Sequence, residues 1–342
     1  MLQLLNMSMK YSLPSLIVVL CAAVTFTISA CSQVHGTLVS TPTESISFTN
    51  YTRQTSVTTS ESTSTSQTGI VSYPALDSAI KRDITYVTVD NVSLQLDIYF
   101  PKLMSGKTPA VLYVHGGAWM TGDKNIGAGS QDVAALTAAG FIVVPVNYRL
   151  APVFKFPAMI EDVKCAVRFL RAHANEYGID PDKIGAYGGS AGGHLVSLLG
   201  LTDSNAGWDT RPYINYSSQV QAVVDMFGPS DLPALFAPGQ QQISLSVFGT
   251  SDLKSQTLIR ASQISWVNRG DPPFLILQGD KDTTVPLSQS KELYDCLIQG
   301  GVEATLKVFK NGTHGLNGSP DMQPTRQDLT QMLVEFFKSY LK

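Results

Sequence analysis

Hydrophobic and polar positions along the chain follow two patterns in turn. Residues 84–89 and 93–100 alternate apolar with polar side chains, which predicts an antiparallel pair of strands with a turn at Asp90-Asn91. Six later segments are short and mostly apolar, as strands buried on both faces of a parallel sheet are. They span 110–114, 141–146, 183–187, 221–226, 274–277 and 305–309. The pattern therefore predicts a mostly parallel sheet of about eight strands.

Stretches with helical periodicity separate these strands. They cover 131–139, 158–177, 191–201, 288–299 and 328–340. Strands that alternate with helices are typical of right-handed βαβ units, so we expect an α/β fold with helices flanking the sheet.

One interval, residues 228–272, interrupts this alternation before the strand at 274–277. It contains Pro229, Pro233 and Pro238, with helical pieces predicted at 232–236 and 256–267. An insertion of this length in a compact domain usually forms a lid, a cap or a binding loop, and the alternative is a surface excursion without a role. We expect a lid-like insertion.

The first 30 residues have the pattern of a signal peptide. Residues 12–30 carry no charge, follow Lys10 and end in Ile28-Ser29-Ala30-Cys31. This end is similar to the lipobox of bacterial lipoproteins, in which the cysteine is lipidated. We expect residues 1–30 to be a lipoprotein-type signal, Cys31 to carry the lipid, and the protein to be exported to the cell envelope. A plain cleaved signal and an uncleaved membrane anchor are the alternatives.

A Ser/Thr-rich segment follows the signal. Residues 37–69 contain 19 Ser and Thr among 33 residues and little apolar periodicity. Such a composition cannot bury enough apolar surface to offset its ordering entropy. We therefore expect residues 31–72 to be a tether and residues 73–342 to form the folded domain.

Composition and charge exclude several classes of protein. The chain of 342 residues has 44% hydrophobic residues, and 24 Lys and Arg against 27 Asp and Glu give a net charge of −3 without a basic run. No nucleic-acid partner is expected. The four cysteines form no Cys-x-x-Cys motif, so no zinc module is predicted, and no other metal or organic cofactor is implied. Cys165 and Cys296 fall in apolar helical patterns, which favours core packing and leaves a disulfide between them open.

A candidate nucleophile lies in Gly188-Gly189-Ser190-Ala191-Gly192, which matches G-x-S-x-G. The motif follows the strand predicted at 183–187 and begins the helix at 191–201. This strand–turn–helix context is the one that a nucleophile elbow requires, since glycines let the chain pass close to a serine on a strained turn.

A second glycine-rich motif, His115-Gly116-Gly117-Ala118-Trp119, follows the strand at 110–114. Backbone N–H groups of such a loop stabilise the oxyanion that forms when a serine attacks an acyl carbon. The residue after the nucleophile, Ala191, is expected to supply another donor. Trp119 is a candidate for lining the substrate pocket.

His314 is the candidate base among the five histidines. It lies in a loop between the last strand and the last helix, whereas His194 is one helical turn beyond Ser190. The acid that orients the imidazole is sought at a strand end between serine and histidine. We favour Asp282, with Asp280 and Asp225 as alternatives.

These motifs together resemble the α/β-hydrolase superfamily, in particular bacterial esterases related to hormone-sensitive lipase and their acetyl-xylan/feruloyl esterase-like branch. The resemblance spans about residues 73–342. Further support comes from Tyr148-Arg149-Leu150-Ala151-Pro152 and from the segment Leu277 to Pro286. It implies an α/β-hydrolase fold, the catalytic order Ser190, Asp282, His314, and oxyanion donors on Gly117, Ala118 and Ala191.

The resemblance implies a serine carboxylesterase. Ala118 stands where many relatives have glycine, and the long N-terminal cap helices of those relatives are missing. Short acyl esters are therefore expected rather than long-chain lipids, on a small-molecule or carbohydrate alcohol. The alternatives are a serine peptidase or amidase on the same fold, similar to arylformamidase or prolyl peptidases, and a non-catalytic binding scaffold.

Overall fold

The computed structural model of the protein describes residues 79–342 except 105, 126–129, 211, 237–238 and 317–319. Its strands are β1 Ile80–Val89, β2 Val92–Tyr99, β3 Thr108–Val114, β4 Ile142–Val146, β5 Ile179–Gly189, β6 Ala222–Met226, β7 Phe274–Gly279 and β8 Ala304–Phe309. Its helices are α1 Ser130–Ala138, α2 Ala158–Ala172, α3 Ala174–Tyr177, α4 Ala191–Leu201, α5 Leu232–Leu235, α6 Gln241–Phe248, α7 Gln256–Ala261, α8 Leu287–Gln299 and α9 Arg326–Leu341.

The described strands form one sheet in the order β1-β2-β4-β3-β5-β6-β7-β8. Only β1 with β2 and β2 with β4 pair in antiparallel fashion, and every other neighbouring pair is parallel. The prediction of a mostly parallel α/β sheet of about eight strands is confirmed. Because β3, β5, β6, β7 and β8 run in the same direction, the loops that follow them meet at one edge of the sheet.

Two hydrophobic cores cover the two faces of this sheet. Residues of α2, α4 and α8, such as Val163, Leu195 and Leu293, pack into one core. Residues of α1 and α9, such as Leu136, Leu333 and Phe337, pack into the other. The central strands β4, β6 and β7 are buried at every position, which explains their continuous apolar sequence.

The helix predicted at 158–177 is interrupted at His173, where α2 ends and α3 begins. The His173 backbone N–H donates to the carbonyls of Phe169 and Arg171, and its Nδ1 also lies 2.9 Å from the Phe169 carbonyl oxygen. These contacts cap the end of α2. The apolar periodicity continues across the interruption because both helices pack on the same core.

The insertion at 228–272 contains α5 and α7, as predicted, and also α6, which was not predicted. Its apolar residues Leu232, Phe236, Val247, Phe248 and Leu258 are buried in the core that contains α4. The insertion is thus anchored to the domain through α5, α6 and α7.

The predictions for the first 78 residues, namely the signal at 1–30, lipidation of Cys31, the tether and the exact start of the domain, lie outside the described residues and stay predictions. In the part of the chain that the structure describes, no helix is both long enough and apolar enough to cross a bilayer. Cys165 in α2 and Cys296 in α8 are both buried, as the core-packing interpretation requires.

Candidate active site

The loops that follow β3, β5, β7 and β8 bring together the residues singled out in the sequence. The glycine-rich loop 115–119 follows β3, Ser190 follows β5, Asp282 follows β7, and His314 follows β8. Four segments that are distant in sequence therefore meet at the carboxyl edge of the sheet, where α/β folds place their ligand sites.

Ser190 occupies a strained turn between β5 and α4. Its backbone has φ 57° and ψ −122°, a conformation that residues other than glycine rarely adopt. The Ser190 N–H donates to the carbonyl of Met226 at 2.9 Å, which fixes the turn to the end of β6. The serine side chain is thereby held at the start of α4, as in a nucleophile elbow.

Gly192 allows α4 to approach β3 closely. A Cβ atom at this position would lie 2.1 Å from the carbonyl oxygen of Val114 and 2.8 Å from that of His115. Since both neighbours are backbone atoms at the start of the glycine-rich loop, they cannot rotate away as a side chain would.

We expect Gly192→Ala to lower the free energy of unfolding by about 3 kcal/mol and kcat by at least about tenfold, because the helix must separate from β3. Urea unfolding and ester hydrolysis would measure both effects. Gly200→Ala in the same helix is the comparison, since its Cβ meets side-chain atoms of Val223 and Pro272. Equal decreases in the free energy of unfolding and in kcat for the two variants would contradict the role assigned to Gly192.

The His314 ring lies between Ser190 and Asp282. Its Nε2 is 3.0 Å from Ser190 Oγ, and its Nδ1 is 2.8 Å from Asp282 Oδ2. Because a carboxylate accepts hydrogen bonds, Nδ1 carries the proton and Nε2 is left to accept the serine proton. The Phe227 ring meets the imidazole edge-on, with ring centroids 5.0 Å apart, and limits its rotation.

Asp282 is held by several donors besides His314. Its Oδ1 accepts from the backbone N–H groups of Thr284 and Val285, both at 2.9 Å, and its Oδ2 accepts from Gln278 Nε2 at 3.0 Å. Burial alone would raise the pKa of this carboxyl, but the hydrogen bonds from His314 and the backbone outweigh burial and lower the pKa below its usual value. Asp282 is therefore an ionised, fixed acceptor.

The two alternative aspartates have other partners. Asp280 Oδ1 accepts from the backbone N–H of Asn311 at 2.6 Å, which ties the loop after β7 to the end of β8. Asp225 is buried below the elbow, where its carboxylate accepts from Ser197 Oγ and from the Gly228 N–H, both at 2.8 Å. Of the three candidates, the structure places only Asp282 against His314.

Asp225 makes stability dependent on pH. Burial raises its pKa from the usual aspartate range to about 6, against the lowering effect of its hydrogen bonds. The folded state thus binds the proton more tightly than the unfolded chain, so the free energy of unfolding falls as pH rises from about 4 to 6.

Asp225→Asn should abolish this fall in the free energy of unfolding between pH 4 and 6. At pH 7 we expect the variant to have a free energy of unfolding higher than that of the wild type by on the order of 2 kcal/mol. At pH 4 the gain should be much smaller. Urea denaturation of both proteins at the two pH values would test this. A difference that is the same at pH 4 and pH 7 would show that Asp225 does not titrate in this range.

The glycine-rich loop forms a tight turn beside Ser190. The Gly117 carbonyl accepts from the N–H groups of Met120 and Thr121, both at 3.0 Å, and φ is 112° at Gly117 and 51° at Ala118. Among the described residues, the N–H groups of Gly117, Ala118 and Ala191 have no hydrogen-bond acceptor. They are thus available to an oxyanion.

His115 and Tyr148 brace this loop from below. The Tyr148 hydroxyl donates to the His115 carbonyl at 3.0 Å, and the two rings are stacked with centroids 4.3 Å apart. His115 Nδ1 lies 2.7 Å from the Gly116 carbonyl, and burial lowers the pKa of the imidazole. His115 therefore supports the loop as a neutral ring.

The expectation that Trp119 lines the pocket needs correction. Its side chain is buried, and Nε1 donates to His194 Nδ1 at 3.2 Å. His194 Nε2 in turn lies 2.8 Å from the Ala261 carbonyl, and burial lowers the pKa of this histidine to about 4. Positive φ at Ala118 and Trp119 turns the indole into the core beneath the loop, a reversal that sequence pattern does not reveal.

A cavity of about 520 Å³ opens beside Ser190 and His314. The lining residues are Tyr113, Gly116, Gly117, Ala118, Met120, Thr121, Asp132, Gly189, Ser190, Met226, Phe227, Thr284, His314, Gly315, Arg326 and Leu329. No described residue of the insertion from 228 to 272 is among them, so the arrangement does not support a lid over this cavity.

Sequence reasoning missed several residues of the site. Gln278, which holds Asp282, could have been noticed as a buried amide at the end of an apolar strand. The sequence contains no motif that marks Tyr113, Asp132 or Arg326 as residues of the site, since each is an ordinary residue near the end of a strand or the start of a helix. Within the described residues, no group of three or more His, Cys, Asp or Glu could hold a metal ion.

The fold and the arrangement at the carboxyl edge define an α/β-hydrolase. The BD-FAE family model matches residues 96–297, more than half of the chain, and the chain therefore belongs to the BD-FAE family. The resemblance to esterases of the α/β-hydrolase superfamily that was found in the sequence is confirmed.

Two curated relatives are esterases of Mycobacterium tuberculosis. The probable carboxylic ester hydrolase LipM is 32% identical over 76% of this chain, and the esterase LipC is 32% identical over 61%. The chain covers only 62% and 53% of the lengths of these relatives.

Solved structures of similar fold include a truncated carbohydrate esterase from gut microbiota. It is 29% identical, with a TM-score of 0.66 over 78% of this chain and 98% of its own. The propionate-bound esterase Est2 of Thermogutta terrifontis is 25% identical, with a TM-score of 0.64 over 78% of this chain and 96% of its own.

Proposed function

We propose that the protein is a serine carboxylesterase that hydrolyses short-chain acyl esters. The observation that carries this proposal is the position of the His314 ring, 3.0 Å from Ser190 Oγ and 2.8 Å from Asp282 Oδ2. The esterase names of LipM and LipC support the same activity.

In the acylation step, Ser190 Oγ attacks the ester carbonyl carbon while His314 Nε2 takes the serine proton. Asp282 stabilises the imidazolium that forms, since its carboxylate accepts from Nδ1. The negative charge on the carbonyl oxygen is met by the N–H groups of Gly117, Ala118 and Ala191. His314 then gives its proton to the departing alcohol, and an acyl-enzyme remains.

In the deacylation step, His314 Nε2 removes a proton from water, which attacks the acyl carbon. The second oxyanion collapses, the Ser190 oxygen takes the proton back, and the carboxylic acid leaves. Each proton moves between Nε2 and an oxygen close to it, so one histidine serves as base and acid in both halves of the cycle.

A short acyl group is favoured because Ala118, itself one of the proposed oxyanion donors, carries a methyl group that leaves less room on the acyl side than glycine would. Est2 of Thermogutta terrifontis, whose structures carry propionate and butyrate, agrees with this size. We also propose an acylated carbohydrate as substrate, on the likeness to the gut carbohydrate esterase. Export as a lipoprotein anchored through Cys31 would place the enzyme where such polymers occur.

A panel of substrates tests the proposal on the full-length protein. It contains p-nitrophenyl esters from acetate to palmitate, acetylated xylan, methyl ferulate and a peptide p-nitroanilide. We expect the highest kcat/KM on the two- to four-carbon esters and release of acetate from xylan. Cleavage of the anilide in preference to every ester would establish a peptidase or amidase instead, and no cleavage at all would favour a binding scaffold.

A further inference from the structure

The cavity beside Ser190 has a polar end that the proposed reaction does not use. Asp132 in the first turn of α1, Arg326 at the start of α9 and Tyr113 near the end of β3 line it, together with apolar residues such as Leu329. The reaction as proposed requires only the serine, histidine, aspartate and oxyanion donors. The polar end therefore needs its own explanation.

Arg326 and Asp132 form a two-point ion pair. Arg326 Nη1 is 3.0 Å from Asp132 Oδ1, and Nη2 is 2.6 Å from Oδ2. Nη1 also donates to Thr330 Oγ1 at 2.7 Å. The end of the guanidinium group is thereby occupied, and the charge of the arginine is balanced.

The other edge of the guanidinium group is unused. Nε–H and the second hydrogen of Nη2 point in parallel along this edge, and they have no acceptor among the described residues. The Arg326 side chain is 24% exposed, whereas the Asp132 side chain is 2% exposed. The pair thus has two parallel donors of Arg326 left for a ligand, while Asp132 holds the guanidinium group in place.

Tyr113 adds a hydroxyl with no partner in the described part of the chain. Burial and then the charge of Asp132 raise the pKa of Tyr113, so the hydroxyl stays protonated and can donate as well as accept. Because Tyr113 lines the cavity, this hydroxyl is available to pair with a polar occupant there.

We propose that Tyr113, Asp132 and Arg326 form a subsite that binds hydroxyl groups on the alcohol part of the ester, so that the preferred substrates are short-chain esters of polyols or sugars. This inference rests on the proposed function. A hydroxyl group both donates and accepts, as the subsite requires. An anionic substrate is disfavoured, because the charge of Arg326 is already balanced and Asp132 repels a second carboxylate.

The size of the cavity leaves room for the alcohol part of the ester, and we assign the subsite to that part. An acyl group of two to four carbons fills a small part of about 520 Å³, and the rest must accommodate the leaving group. The tyrosine, aspartate and arginine side chains belong to three separate elements that the fold holds in place, so the subsite is formed before the substrate binds.

The test compares glyceryl monoacetate with propyl acetate, which share the acyl group and the three-carbon alcohol and differ by two hydroxyls. For the full-length protein we expect a higher kcat/KM on glyceryl monoacetate. Tyr113→Phe should lower the ratio of the two kcat/KM values by about three- to tenfold, as expected for the loss of one hydrogen bond. Tyr216→Phe removes the same hydroxyl from an exposed tyrosine outside the cavity lining and should keep the wild-type ratio.

A second variant, Asp132→Asn with Arg326→Gln, removes the ion pair without leaving one charge unpaired, and should lower the ratio at least as far as Tyr113→Phe. Circular dichroism would show that it is folded. A wild-type enzyme that hydrolyses propyl acetate with no preference for the glyceryl ester, or a ratio unchanged in Tyr113→Phe, would overturn the subsite and leave the esterase proposal standing. Failure to hydrolyse any ester, with Ser190→Ala indistinguishable from wild type, would overturn both.

Discussion

Replacing Ser190 by alanine is expected to lower kcat for p-nitrophenyl acetate by about 10⁵- to 10⁶-fold, to the rate that oxyanion binding alone supports. The reason is geometric: Ser190 Oγ is the hydroxyl that the structure places 3.0 Å from His314 Nε2. Initial rates at saturating substrate would give kcat, and electrospray mass spectrometry would show whether an acyl group accumulates on the wild type.

Ser339→Ala is the control, because this exposed serine near the end of α9 donates only to the Glu335 carbonyl of its own helix. Its kcat should equal that of the wild type. If Ser190→Ala kept more than about one hundredth of the wild-type kcat, the nucleophile would have to be sought elsewhere.

Replacing Asp282 by asparagine is expected to lower kcat by about 10⁴-fold. Asparagine can accept from Thr284 and Val285 through its oxygen, so the loop should keep its shape. Its NH₂ group then faces His314 Nδ1 and favours the tautomer whose proton is on Nε2. That tautomer cannot accept the proton of Ser190.

Asp280→Asn is the matched control, two residues away in the same loop. Its side-chain oxygen can still accept from the Asn311 N–H, so kcat should change by less than about threefold. If kcat fell strongly in Asp280→Asn and only slightly in Asp282→Asn, Asp280 rather than Asp282 would be the residue that orients His314. The pH dependence of kcat for both variants would show whether the histidine still acts as a base.

Much of the fold could be predicted because its strands are buried. Helices cover both faces of the sheet, so the sequences of the buried strands β4, β6 and β7 are short apolar runs. The positions of Ser190, Asp282 and His314 were accessible for a similar reason. Each follows a predicted strand of one parallel sheet, so the three loops had to meet at its carboxyl edge.

The remaining features depend on contacts that sequence pattern does not contain. Asp132 and Arg326 are 194 residues apart, and neither lies in a recognisable motif. The sequence pattern does not predict α6, because the polar residues of this helix outnumber those that enter the core. The motif that contains Trp119 adjoins the site and so predicts a pocket residue, whereas the backbone at this position turns the indole inward.

The hydrogen-bonded series Trp119, His194 and Ala261 has a consequence for protein engineering. It joins the loop after β3, the helix α4 that follows Ser190, and the insertion through one uncharged imidazole. A chimera that exchanges residues 228–272 between relatives keeps a backbone carbonyl at position 261, but the incoming segment must place it within hydrogen-bond distance of His194 Nε2. Recombination breakpoints are therefore best chosen so that positions 119, 194 and 261 descend from the same parent.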